Sequence, residues 1–211
     1  MNRYSSHKPR VGCGRDWYRA TPRRAITTLW RAGLAALLIA GGTACSGVAP
    51  LQQVLLSPPQ SARAAGSANP QASGWNVRRV QVPEYLDNYD IQLRTDDYVL
   101  TRMAGAKWAE RLPVAITRLL QQTIDAKWVG QRERDYNVDV SVDSFEPQPS
   151  GQVVLSARWK VIDTRDKAVI ARDSTVIQQA LPAKPRDAAA VGRAMSEAVR
   201  ELAFEIVAKA G

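Results

Sequence analysis

Tyr136-Asn137-Val138-Asp139-Val140-Ser141-Val142-Asp143 alternates apolar and polar side chains without a break. A period of two puts Tyr136, Val138, Val140 and Val142 on one face of a strand and the polar residues on the other, so one face is buried and one is wet. Pro147, Pro149, Ser150 and Gly151 then make a turn. Beyond it Val153, Leu155, Ala157, Trp159 and Val161 alternate with Gln152, Val154, Ser156, Arg158 and Lys160. Thr164-Arg165-Asp166-Lys167 turns the chain into a third strand, Ala168 to Gln178. Three consecutive strands on short turns read as an antiparallel meander.

Working outward, the segment before the meander changes period. Trp108, Leu112, Ile116, Leu119, Leu120, Thr123 and Ile124 share one helical face, which predicts a helix from about Lys107 to Trp128. Pro113 belongs in its first turn, where the missing N–H is harmless. Upstream, Ile91 to Thr95 and Tyr98 to Arg102 flank Asp96-Asp97, a hairpin signal. Asn76 to Val82 reads as a strand ending at Pro83, and Glu84 to Tyr89 as a corner. After a break at Pro182 to Pro185, Val191, Met195, Ala198, Val199, Leu202 and Ile206 form the stripe of a second helix, about Asp187 to Ala208. The expected fold is α+β: one antiparallel sheet packed against two long amphipathic helices in a single domain, residues 75–211. Gln52 to Leu56 is a candidate first strand of that domain. Ser57 to Gly74, rich in Ser, Ala, Pro, Gly and Gln, reads as a flexible loop spanning roughly 25 Å as a coil.

The chain has 211 residues and a formal net charge of +9. Residues 1–44 hold eight Lys/Arg and one acid, a balance of +7, and the remaining 21 bases and 19 acids of residues 45–211 balance to +2. The basicity therefore sits in the N-terminal segment, which argues against a nucleic-acid binder, whose basic patch lies on the folded domain. That segment has the parts of a secretory signal: a basic stretch to Arg31, an apolar run from Ala32 to Gly42, then small residues. Arg23-Arg24 loosely resembles a twin-arginine signal. Gly42-Thr43-Ala44-Cys45 resembles a bacterial lipobox, which implies that residues 1–44 are removed and Cys45 becomes the lipidated first residue. Each buried methylene adds about 0.8 kcal/mol, so several acyl chains anchor far more firmly than one. The alternative is an ordinary signal cut near Ala44 that leaves Cys45 a free thiol. Ser46 in place of Asp after the cysteine favours the outer membrane over inner-membrane retention.

The chemistry of catalysis is thinly represented. The only histidine is His7, inside the predicted signal, so the mature chain has no Ser-His-Asp, Cys-His or histidine-metal site. There is no glycine-rich phosphate loop. Asp96-Asp97 reads as a turn, and Asp139 and Asp143 as the wet face of a strand; a carboxylate-pair hydrolase is the one enzyme class left open. Trp108 and Trp159 fall on buried stripes and read as core, while Trp128 at the helix end is the tryptophan expected to be exposed. No cofactor and no metal are expected, and the chain reads as a non-enzyme.

Four stretches carry a resemblance to a known family. Val82-Pro83-Glu84-Tyr85-Leu86-Asp87 with Ile91-Gln92-Leu93-Arg94-Thr95 is the first, and Lys107-Trp108-Ala109-Glu110-Arg111-Leu112 the second. Phe145-Glu146 with Gly151 to Trp159 is the third, and the closing helix with Met195-Ser196 the fourth. In this order they resemble the ABC-type transport auxiliary lipoproteins, the PqiC-like family, over roughly Val54 to Ala208. The departures are Gln52-Gln53, where the family often has aromatics, and a long 57–74 loop.

The resemblance implies a docking role and not catalysis. It implies an outer-membrane lipoprotein, lipid-anchored on the periplasmic face, that serves an MCE-domain periplasmic protein and its ABC transporter. Such systems move lipids or other hydrophobic molecules across the envelope, and some members of the family form homo-oligomeric rings. Tyr85, Leu86, Asp96 and Asp97 are the candidate partner contacts, because corners and hairpin tips carry function more often than strands do. The competing reading of Tyr85 and Leu86 is that they plug a sheet edge. A lipoprotein that assembles another periplasmic complex, such as a secretion apparatus, is the alternative function.

Overall fold

The computed structural model describes residues 50–58, 73–127, 134–181 and 187–210. Cys45 and the expected signal lie outside these residues, as do most of the 57–74 loop and Trp128. The described chain forms seven strands and two α-helices: β1 (Gln52–Val54), β2 (Trp75–Val77), β3 (Asp90–Asp96), β4 (Val99–Trp108), α1 (Leu112–Lys127), β5 (Tyr136–Pro147), β6 (Gln152–Asp163), β7 (Val169–Ala180) and α2 (Ala188–Ala210). A single 3-10 turn, Glu84–Leu86, joins β2 to β3.

The β5-β6-β7 meander is as the alternation predicts. Its ladders run antiparallel through Val140 opposite Trp159 and Trp159 opposite Asp173. On the inner face Val138, Val140, Val142, Val153, Leu155, Ala157, Trp159 and Val161 are all buried. Packing this many apolar side chains, each contributing about 1.5–3 kcal/mol when fully buried, makes the hairpin the centre of the core. On this side α2 lies across β6 and β7, and α1 packs against α2 and β2. Trp159 Nε1 donates to Thr175 Oγ1 at 3.2 Å, and that hydroxyl donates to Glu205 Oε2 of α2 at 2.8 Å, so the polar atoms under the helix are satisfied.

Four expectations need correction. The first concerns the sheet, which is not single and not purely antiparallel. There are two, in the orders β1-β4-β3 and β2-β5-β6-β7. β1 pairs parallel with β4, and β2 parallel with β5, so both sheets are mixed. A three-residue strand shows too little alternation to reveal its partner. Each also reaches that partner after a long intervening stretch of chain, the circumstance in which parallel pairing becomes available.

Trp108 is the second correction. It ends β4 and does not begin α1, which starts at Leu112. The spacing 108, 112, 116 fits a helical face by coincidence, while Ala106 and Trp108 are both buried by the strand period. β4 is also longer than the hairpin signal suggests, because it bends. Gly105 sits at φ +74°, within the break in register that separates the Asp90–Lys107 and Gln92–Arg102 pairs. A side chain there would be strained, and the bend lets residues 106–108 pair with β1 as well.

Third, the strand expected over Asn76 to Val82 stops at Val77, and only an isolated bridge, Gln81 to Ser141, continues it. Side chains of α1 take over the backbone donors: Val77 N–H donates to Gln121 Oε1 at 2.8 Å and Val80 N–H to Thr117 Oγ1 at 3.0 Å. Arg78 and Gln81 still donate to the β5 carbonyls of Val138 and Val140, at 2.9 and 3.0 Å, so the segment stays against β5 without a regular ladder.

The fourth concerns the two long amphipathic helices, which differ in length and in how far each is enclosed. α1 has 16 residues, and α2 has 23. Beyond the expected stripe, α2 also buries Ala190, Gly192, Ala194, Ser196 and Ala203, so it is enclosed over a broad face.

Candidate functional site

Two of the stretches that carry the family resemblance meet in space. Tyr85 stands on the 3-10 turn, Arg94 on β3 and Glu146 near the end of β5. Glu146 is fully buried. Its Oε1 accepts from Arg94 Nε at 2.9 Å and Nη2 at 2.7 Å, and from Gln148 Nε2 at 3.4 Å. Its Oε2 accepts from Tyr85 Oη at 3.1 Å and from the Phe145 N–H at 2.8 Å. Arg94 Nη1 reaches on to the carbonyl of Asp97 at 2.8 Å. One carboxylate thus fastens the first sheet, the second sheet and the turn between them.

Electrostatics follow from that geometry. Burial pushes the Tyr85 hydroxyl up to about 12, and the neighbouring Glu146 carboxylate adds to the rise. Hydrogen bonds to Glu146 raise Arg94 above its ordinary value. A carboxylate so fully engaged has no accessible lone pair to take a proton from a substrate. Among the described residues no group of three or more His, Cys, Asp or Glu is placed to hold a metal ion. The arrangement acts as a clasp between layers.

The other candidate residues fall in three places. Leu86, only 2% exposed, is a core residue and offers no surface to a partner. Asp96 and Asp97 lie at the exposed tip of the β3-β4 hairpin. Tyr98, 94% exposed, shares that tip and was not singled out by sequence reasoning, although its place beside Asp96-Asp97 in a turn was the available signal. Cys45 lies outside the described residues. Among the described residues no helix is long and apolar enough to cross a membrane.

Glu146 was quoted in the sequence but given no role. The only available signal was an acid beside Phe145 at the end of an apolar strand. Nothing in the linear order brings Arg94 or Tyr85 to it.

Comparison with known proteins gives one family and a set of shared folds. A model of the "ABC-type transport auxiliary lipoprotein component" family matches residues 55–207. No curated protein matches the sequence. Among solved structures, an uncharacterized protein is similar at 15% identity and TM-score 0.57, over 65% of this chain and 91% of that one. Protein XCC0632 from Xanthomonas campestris, of family DUF330, is similar at 17% identity and TM-score 0.54, over 76% of this chain and 85% of that one. At such identities the likeness is one of fold.

Proposed function

The chain belongs to the family of ABC-type transport auxiliary lipoprotein components, and from that premise we propose that it is the outer-membrane lipoprotein subunit of an MCE-type transport system. In this reading lipids on Cys45 hold it to the periplasmic face of the outer membrane. The folded body docks the periplasmic MCE protein that an ABC transporter serves, and the cargo is a lipid or another hydrophobic molecule. Copies of the chain arranged as a ring would form the collar of that conduit. The role is one of docking and not of catalysis.

The observation that carries the reading is the reach of the family match, from Leu55 to Val207, which takes in α1, every strand after β1 and all but the last three residues of α2. The clasp at Glu146 supports a structural role, since both carboxylate oxygens accept bonds from other elements of the fold.

The test is co-purification of the Cys45-anchored protein from crosslinked, mildly solubilised envelopes, read by mass spectrometry for proteins and lipids. An MCE protein together with ABC subunits and bound lipid is the expected result. Recovery of a different envelope machine, such as a secretion apparatus, without lipid would overturn the reading.

A further inference from the structure

The outer face of the β2-β5-β6-β7 sheet, turned away from the helices, is cationic. Arg78, Arg79, Arg158, Lys160 and Arg172 line one groove there, with Asp139, Asp173, Ser141 and Ser174 between them, Asp173 being paired with Lys209 of α2. Three of the cations have carboxylate partners: Arg78 and Lys160 on Asp139, and Arg158 on Asp143 at 2.7 Å. Arg79 and Arg172 form no salt bridge among the described residues. Both are exposed. Arg172 stands opposite Lys160, which stands opposite Asp139, so two cations on neighbouring strands and one aspartate form a row across β7, β6 and β5. Five bases against Asp139 and Asp173 of the groove and the neighbouring Asp143 leave this face near +2, equal to the +2 of residues 45–211 together. The positive charge of the body is thus gathered on one face.

A pair of carboxylates stands at the β3-β4 tip. Asp96 and Asp97 are exposed there, and neither carboxylate forms a salt bridge among the described residues. Asp96 Oδ1 only accepts the Tyr98 N–H, at 3.4 Å. Tyr98 projects beside them almost wholly in solvent, with Val99 half exposed. The tip is held rather than loose, because the Arg94 guanidinium bridges Glu146 and the Asp97 carbonyl.

The tip does not reach its own groove. Arg94 fixes it at the Glu146 end of β5, whereas the groove meets β5 at Asp139. Those two positions are seven residues apart on one strand, about 23 Å at ~3.3 Å per residue.

We propose that the acidic tip of one copy, Asp96-Asp97-Tyr98, seats in the cationic groove of the next, against Arg79 and Arg172. Carboxylates pair with the two free guanidinium groups, and the Tyr98 ring offers them a cation–π face. Donor and acceptor surfaces lie at different ends of the molecule, so the contact is head-to-tail. It closes into a ring or runs on as a filament according to the rotation between copies. This deepens the ring in the proposed function and rests on that reading for its setting.

The test is sedimentation velocity with native mass spectrometry on the full mature chain in mild detergent. Three variants are compared with wild type: Arg79→Glu with Arg172→Glu, Asp96→Lys with Asp97→Lys, and all four changes together. Like charges facing each other across an interface cost several kcal/mol, so each pair of changes should weaken assembly by more than about tenfold. The four-fold variant, with both signs exchanged, should assemble again. All four positions are exposed, and circular dichroism checks that each variant folds. An assembly indifferent to either reversal, or one that the four-fold variant does not restore, overturns this contact while leaving the ring intact. A wild-type monomer at tens of micromolar overturns both contact and ring, and leaves the docking role to the co-purification. Loss of binding to phosphatidylglycerol vesicles in the groove variant, with assembly unchanged, assigns the groove to the membrane and overturns the contact.

Discussion

Arg94 donates two hydrogen bonds, at 2.9 and 2.7 Å, to one oxygen of a Glu146 carboxylate that no solvent reaches. The pair joins strands of different sheets, and its members respond unequally to removal. Arg94→Ala leaves a buried carboxylate without its cation, a change that costs about 3–5 kcal/mol. Arg94→Met with Glu146→Leu removes both charges and should cost much less than Arg94→Ala alone. Urea unfolding of the two variants checks this order. A double variant no more stable than Arg94→Ala would mean that Glu146 matters for its bonds to Tyr85 and Phe145, and not for its charge.

Tyr85 gives the clasp a pH signature at the alkaline end. Burial beside Glu146 raises its hydroxyl from 10 to about 12, so the folded state favours the protonated form. The stability this contributes is fully present below pH 10, and is lost as pH rises through about 12. Tyr85→Phe should therefore flatten the fall in stability over that window. It should also cost about 1 kcal/mol at neutral pH for the lost hydrogen bond. Thermal unfolding of both proteins from pH 9 to 12 measures the two effects together. An unchanged alkaline slope would place the titration elsewhere.

What could be read in the linear sequence depended on how local the physics was. The β5-β6 hairpin was legible because Val138 to Val142 alternate strictly and Val153 to Val161 alternate but for Val154, and strand burial follows that alternation. The buried stripe of α2 was legible for the same reason at a helical period. Trp108 was misread because residues 106–112 satisfy both periods, and only pairing with β1 decides between them. The parallel pairing of β1 and β2 is a long-range fact that three residues cannot encode. The site was less legible than the fold. Tyr85 was singled out for its corner, yet its partner Glu146 lies 61 residues away. A clasp made of one residue from each of three elements has no spacing that betrays it.

Cys45 carries the anchoring half of the proposed function. A lipobox cysteine should take up labelled palmitate and fractionate with membranes. Cys45→Ala should abolish labelling and release the protein to the periplasmic fraction, with the folded body unaffected, since among the described residues the core begins at Val54. Labelling that survives Cys45→Ala would remove the anchor. Unlabelled wild-type protein in the soluble fraction would favour an ordinary signal peptide.

Gly192 reverses a general expectation. Alanine in place of a helical glycine usually gains about 1 kcal/mol, because glycine loses more backbone entropy. In α2, however, a methyl group at Gly192 would stand 2.6 Å from Cγ1 of Val54, where β1 crosses the helix. Val54 is buried and β-branched, and its backbone is paired with Trp108 in the sheet, so it has little room to yield. Overpacking of this kind costs about 1–3 kcal/mol, enough to outweigh the helical gain. Gly192→Ala should therefore destabilise the protein, by lifting β1 from α2. In a Val54→Ala background the clash is gone, and the same substitution should be neutral or stabilising. A double-mutant cycle by urea unfolding reads the coupling directly. Additive effects would mean that β1 adapts to the helix and does not fix its distance.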